Sequence, residues 1–443
     1  MVGVTNFLQQ VQTYQRSTLG YLQNLVCFIP NANTRFKDFN RITANLGSSV
    51  TFDLPPRFTD SEGLVASFQA ANQLVNTLTC DQGRNVSYEF TNQERIFNVE
   101  KPGDEYLPSF MRSAMLQLAN RVEGNVALNA NSHVPVMTVV DGDSVATGAL
   151  HTESGPFRFF GDGINPINNV QQLAQIQANY SAFGSVAENE RRKIFLPSTV
   201  IPSIISTMLN QFVLKRNEEK ANSWDLGHWD NVDYYKSNLL PEQTAGNVGE
   251  NQDELTVVST NDPTGQNITQ ITLSGASVVS DPNAVKSGDL GQFLNNSVKY
   301  LTYIGGFITS LPAQFRVTAD AASTGAGQVT INITPGFTIG MPNTTNIGIN
   351  TNIVAGMKVK LLPSHRCGLL IGGEAFYLAM PRLPDQRPYD SVSEYDDKTG
   401  VAMRLTYGTL FGRNQSGWIH DCIWGSHVVP HYAMRIVFPL SQA

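Results

Sequence analysis

Apolar residues first recur at helical spacing near the start of the chain, where Phe7, Leu8 and Val11, then Leu22, Leu25, Val26 and Ile29, follow the capping residue Thr5. Gly20 interrupts this run and Pro30 ends it, so residues 5–29 are expected to form two short amphipathic helices, followed by a loop. From Ser48 the pattern becomes strict alternation, Val50, Phe52, Leu54, and it returns as Val86, Tyr88, Phe90. Two strands of one extended ribbon are the simplest reading, with Asp53, Glu89 and Arg95 on its wetter face.

The strongest helical signal is PSFMRSAMLQLANRVEGNVALNA, with Pro108 suited to a first turn and Phe110, Ala114, Leu118, Val122 and Val126 four residues apart. It predicts a long helix over 108–130 with Phe110, Leu118, Val122 and Val126 packed inward. A second helix is expected from Pro166 through Val170, Leu173 and Tyr180. A third, Ile201 to Phe212, follows the strand KIFLP. Between about 240 and 336 the texture changes to short β-like runs, LTVVS, ITQITLSG, VKYLTYIGG, FRVTA and QVTINITP, punctuated by Gly, Asn, Asp and Pro. Helical periodicity resumes in GEAFYLAMPRLP, and two or three strands close the chain. The fold class read from this order is α+β with a small β-barrel inserted in its middle.

Composition narrows the function classes. The 443 residues exceed what one core usually serves, so two or more domains are expected. Charged residues make up 15% and the net charge is -7, which leaves no sequence-wide basic surface for nucleic acid. Cys27, Cys80, Cys367 and Cys422 lie far apart without a CxxC pair, so reduced thiols are expected rather than a disulfide framework or zinc ribbon. The opening MVGVTNFLQQ carries no basic-then-apolar leader, and no apolar run approaches membrane-spanning length, so a protein kept in solution is expected.

No Walker A, GxGxxG, GxSxG or HExxH sequence occurs, so the commonest phosphate, nucleophile-elbow and zincin mechanisms have no foothold. Gly372 and Gly373 precede Glu374, whose charge would repel an anion, so a plain helix start is expected there. The acidic run DSVSEYDD lacks the turn glycine and oxygen spacing of a calcium loop and reads as a solvated loop. His133, His151, His228 and His365 have no partner at ligand spacing.

The C-terminal stretch IHDCIWGSHVVPHYAMRIVF gathers His420, Cys422, His427 and His431. His420 and Cys422 share one face of a strand, but Pro430 disfavours a helix that would align the last two histidines. The favoured reading is a strand, a turn at Gly425-Ser426 and a second strand. It assigns no metal and no cofactor, and keeps His427 and His431 as candidate pH-sensitive contacts between pH 5 and 8.

The element order, together with RRKIFLPSTVI, IGGEAFYLAMPRLP and IWGSHVVPHYAMRI, resembles the tailed-bacteriophage major capsid proteins of the Hong Kong 97 fold. Within that family it is similar to the short-tailed Salmonella-type phage coat proteins that carry an insertion domain. The resemblance implies an N-terminal arm at 1–45, an extended β-ribbon loop at 46–100, and a spine helix with the first peripheral part at 101–134. An axial α/β domain at 135–239 and 337–390, an inserted barrel at 240–336, and peripheral closing strands at 391–443 complete it. It implies a non-enzymatic subunit of an icosahedral virion capsid, assembled in the host cytoplasm from hexamers and pentamers. A scaffolding protein, a portal and a decoration protein would be partners, and double-stranded DNA would be enclosed without sequence-specific binding. Phe52, Leu54, Arg57, Arg84, Tyr88, Phe90 and Arg95 on the ribbon, and Asp281, Asp289 and Asp320 on the insertion, are the implied intersubunit contacts. Rival readings are a phage surface or receptor-binding protein, an encapsulin-like nanocompartment shell, and a metal-dependent hydrolase using the C-terminal His/Cys group.

Overall fold

The structure, a computed structural model, describes residues 27–32, 49–54, 74–91, 103–132, 136–140, 150–154, 157–183, 190–202, 204, 225–229, 231–295, 297–302, 306–340, 346–372, 375–386, 390–396, 401–409 and 415–440. The chain divides into two compact units, one drawn from 1–50, 78–128 and 376–427, the other from 51–77, 129–375 and 428–443. The amphipathic helices expected over 5–29 lie outside the described residues except at their end, where Ile29–Asn31 form a short 3-10 turn containing Pro30.

The first unit joins a long helix to an antiparallel sheet. The helix runs Gly103–Ser132, beginning five residues ahead of Pro108. Its buried apolar side chains are Met111, Ala114, Met115, Leu118, Ala119, Val122, Val126 and Ala127, whereas Phe110 is 44% exposed. Phe110 was expected inside because it begins a four-residue ladder, but such a ladder drifts about 40° per step on a 3.6-residue helix. By Val126 the accumulated rotation carries Phe110 off the buried stripe, and Met111 takes its place. Met111 packs with Leu405 and Trp418, with Tyr88, Val392 and Tyr407 alongside.

The sheet is built around one strand, Gln415–Val428, which pairs with Val401–Thr409, with Phe376–Ala379 and with Gln82–Thr91; Asp390–Asp396 pairs in turn with Val401–Thr409. Three sequence expectations are corrected here. The segment GEAFYLAMPRLP contributes a strand, Phe376–Ala379, not a helix; its apolar run is buried at every position, and continuous burial erases the periodicity that separates helix from strand. Gly373 and Glu374 lie outside the described residues. DSVSEYDD is a strand rather than a solvated loop, with Ser393 buried. The expected turn at Gly425-Ser426 is absent, because the strand runs straight through it. Gly425 is required for another reason: a Cβ there would sit 2.2 Å from the Thr79 carbonyl oxygen.

The second unit contains a seven-stranded mixed sheet and a nine-stranded sheet among its described residues. In the former, His365–Ile371 lies between Arg192–Pro197 and Ala433–Pro439. Arg192–Pro197 pairs in parallel with Val232–Ser237, the strand-Pro arrangement read from KIFLP. Helical structure follows at 201, 202 and 204, and the remainder of the expected 201–212 helix lies outside the described residues. The helix Val170–Ser181 carries a capping box from Asn169 and Gln172, and places Leu173, Ile176 and Tyr180 in the core with Ile194, Leu196, Val232, Leu370 and Ile436.

Six strands of the larger sheet close into a barrel, in the order Ile268–Ser274, Glu254–Thr260, Lys358–Leu361, Leu290–Phe293, Gln314–Val317, Gln328–Ile339 and back to the first. The inward positions include Val257, Ile271, Phe293, Phe315, Ile331, Phe337 and Val359. The barrel draws its strands from beyond residue 336 as well, since Lys358–Leu361 pairs with both Glu254–Thr260 and Leu290–Phe293. The short strand Ile347–Ile349 and the irregular stretch 350–357 after it hid that return. Phe157, Phe159, Leu290, Leu362 and Val437 pack where barrel and mixed sheet meet. There the Gln314 side chain mimics a strand, accepting from Phe159 N at 2.8 Å and donating to Phe159 O at 3.0 Å.

Arg158 fixes this unit from within. Its Nη1 donates to Tyr180 O at the end of the helix at 3.0 Å, and its Nη2 donates to His431 O at 2.7 Å. The guanidinium lies 5.1 Å from the Tyr180 ring centroid and 4.9 Å from that of Phe183. Burial lowers its pKa only to about 10, so the charge persists at neutral pH and sits at the helix's negative end. Arg158→Leu is expected to cost roughly 3 kcal/mol by stranding those carbonyls. Urea unfolding of wild type and variant would measure it, and unchanged midpoints would contradict this role.

Candidate functional site

The ribbon strand Gln82–Thr91 is where the sequence-predicted contact residues meet defined geometry. It does not pair with Ser49–Leu54, as alternation alone suggested; that strand pairs with Leu74–Thr79, and Gln82–Thr91 pairs antiparallel with Gln415–Val428 from Gln82↔Trp424 to Thr91↔Gln415. Period-2 patterning identifies strands but not their partners, which here lie more than 300 residues away. Among the described residues this is the strand's only pairing. Gly83, Arg84, Asn85, Ser87 and Glu89 are exposed along it, while Val86 and Tyr88 are half-buried.

Tyr88 ties this edge to the sheet interior. Its hydroxyl shares a 3.1 Å hydrogen bond with His420 Nε2, and the two rings stack with centroids 5.7 Å apart. Opposite it in register is Trp418, which packs 4.6 Å from Tyr407. On the far side of the strand, Arg404 forms a bidentate pair with Asp421, Nε donating to Oδ1 at 3.1 Å, and donates from Nη1 to Pro384 O at 2.6 Å. No sequence signal marked that pair, because Arg404 and Asp421 belong to strands whose register only the fold fixes.

The other predicted contact residues fall differently. Arg84 is exposed opposite Cys422, and Phe52, Leu54 and Phe90 lie on described strands. Arg57 and Arg95 lie outside the described residues. The three insertion carboxylates serve the barrel itself. Asp289, expected as an intersubunit contact, is 1% exposed in the single chain and accepts from Gly246 N at 3.0 Å and Lys286 N at 2.9 Å. Asp281 accepts from Asn247 Nδ2 at 2.6 Å, and Asp320 from Ser287 N at 2.7 Å. Polar loops between short strands leave backbone N–H groups in need of acceptors, and these carboxylates meet that need.

The C-terminal histidines do not converge. His420 is fully buried with Cys422 two residues on along the same strand, and His431 is buried in the 3-10 turn Pro430–Tyr432. No group of three or more metal-ligating side chains occurs among the described residues. Burial pushes His420 and His427 down to about 4, so His427 titrates below the pH 5 to 8 window expected for it. No helix among the described residues is long and apolar enough to cross a membrane.

No family model matches the chain, and no curated protein matches it. Solved structures do. The cyanophage Pam1 capsid is similar over 92% of this chain and 88% of its own, at 10% identity and a TM-score of 0.42. The capsid of Ralstonia phage GP4 is similar over 90% and 85%, at 10% identity and 0.40. That of cyanophage P-SCSP1u is similar over 93% and 90%, at 12% identity and 0.39.

The histidine geometry predicts acid sensitivity. The unfolded chain takes up protons at its histidines near pH 6.5 while folded His420 resists until about 4, so its contribution to stability is lost as pH falls through that interval. The full effect is roughly 3 kcal/mol, from about 1.4 kcal/mol per pKa unit. His420→Asn is expected to flatten the dependence of the urea midpoint on pH between 7 and 4.5; an unaltered slope would refute the assignment.

Proposed function

We propose that this chain is the major capsid protein of a tailed phage, a non-enzymatic subunit that assembles into an icosahedral shell around double-stranded DNA. The observation that carries the reading is the edge strand Gln82–Thr91, which has one pairing among the described residues, is anchored on that side through Tyr88 and His420, and leaves Arg84 and Glu89 exposed. An edge strand of this length is equipment for association, and its charges oppose indiscriminate pairing while setting register. The long helix with one buried stripe and the barrel returned to its parent sheet supply the stiffness that repeated contacts demand.

In this reading the ribbon lies across a neighbouring subunit, with Phe52, Leu54, Arg57, Arg84, Phe90 and Arg95 at the seam. Many modest contacts per subunit close hexamers, pentamers and finally the shell by avidity. A scaffolding protein guides assembly, a portal occupies one vertex, and a decoration protein is a further candidate partner. The enclosed DNA is contained rather than gripped, since a subunit of net charge -7 offers no general phosphate neutralisation. The contacts are non-covalent: residues 51–100 contain no lysine, so the ribbon lacks an amine for a Lys-Asn isopeptide weld.

Electron microscopy of the expressed protein, with and without a co-expressed scaffold, tests this directly. Regular closed shells are expected, and protein that stays unassembled under both conditions would overturn the reading. On a denaturing gel the shells should run as monomer alone; ladders of covalent multimers would exclude the non-covalent seam.

A further inference from the structure

The turn Ile29–Asn31 has N–H groups at its start that nothing in its own sequence can satisfy. Its N-cap residue is Phe28, and no local side chain caps it. The cap comes from 95 residues away: Glu123 Oε1 and Oε2 accept from Phe28 N at 2.9 and 3.0 Å, and Oε1 also receives Ile29 N at 3.5 Å. Glu123 is 1% exposed on the inner stripe of the long helix, and Phe28 and Ile29 are 1% and 0% exposed. A carboxylate is the one side chain here that offers acceptors only, so it suits a site where several donors converge.

We propose that Glu123 is a releasable latch: its carboxylate pins the Cys27–Asn31 turn to the long helix, and neutralising it lets the turn lift away while the sheet of the same unit stays folded. The turn brings no charged side chain of its own, and Arg112 and Arg121 of the helix are both exposed. The balance is therefore between burial, which raises the carboxyl to about 7, and backbone N–H groups of Phe28, Ile29 and Cys27, which lower it. The folded carboxyl thus gains a proton near neutrality, where an unfolded one would not, and a proton on one oxygen removes an acceptor the turn relies on. The device stands on this geometry alone and does not require the shell reading.

Cys27 reports on the latch because it is buried at the edge of the turn, while Cys80 and Cys422 are buried elsewhere in the same unit. Alkylation of the full chain by iodoacetamide would be followed for each cysteine by peptide mass spectrometry, with rates normalised to free cysteine. Glu123→Ala is expected to speed Cys27 by about tenfold or more, the equivalent of one lost buried hydrogen bond, with Cys80 and Cys422 unchanged. Glu123→Gln, which keeps one acceptor but turns an N–H₂ toward the donors, should fall between wild type and Glu123→Ala. In wild type, lowering the pH from 8 to 6 should raise the normalised rate at Cys27 alone. Cys27 rates unmoved in both variants, or all three cysteines rising together in Glu123→Gln, would overturn the proposal.

Discussion

The strand Gln415–Val428 is the constraint on which the first unit depends. Fourteen consecutive residues of extended backbone need partners for their N–H and C=O groups, and three distant segments supply them: 82–91, 376–379 and 401–409. Side-chain chemistry follows from that pairing. His420 is buried because strands flank it on both sides, Tyr88 finds it because Val86 lies opposite it in register, and Arg404 meets Asp421 across one rung. A slip of one residue would turn His420, Cys422 and Trp424 toward the opposite face, so register and core specify each other.

A second regularity runs through both units. Three buried charges here are met by backbone dipoles rather than by opposite charges, whereas Arg404 and Asp233 take ion pairs. Arg158 is held by carbonyls, Asp289 and Glu123 by N–H groups. In a chain with only 15% charged residues, few ion partners exist to bury, whereas turns and helix ends always leave backbone groups unsatisfied. Each such residue consequently ties together segments far apart in sequence: 158 with 180 and 431, 289 with 246, 123 with 28. These ties carry stability and also locate where it can be switched, since a carboxylate can be neutralised at accessible pH and a guanidinium cannot.

Legibility in the sequence followed from how local each signal was. The long helix, the Val170–Ser181 helix, the KIFLP strand and the alternation of Val86 and Tyr88 were readable, because periodicity reports which faces are buried. The pairing of Gln82–Thr91 with residues 415–424 was not, since no residue of either strand encodes the other. FYLA was misread because burial on both faces removes periodicity, and Gly425 because a glycine needed for close backbone approach looks in sequence like one needed for a turn. At the candidate site, Tyr88 and Arg84 were visible as ribbon residues. Glu123 was not singled out, because a glutamate in a helix is ordinary until the fold lays an uncapped turn against it.

An edge strand poses a problem that its own composition answers. A ten-residue edge strand with an unbroken apolar face would pair with any extended chain it met. Here Tyr88 packs with Met111 and Trp418, Val86 is half-buried, and the exposed positions described between 83 and 89 are glycine, asparagine, serine and the charges of Arg84 and Glu89. Along this stretch the exposed surface is therefore polar rather than apolar. An encounter along this edge gains little unless a partner also complements an arginine and a glutamate five residues apart, which is selectivity obtained with weak individual contacts. In the shell subunit proposed above, that combination would serve better than one tight interface, because errors made through weak contacts can dissolve before they are locked in by neighbours.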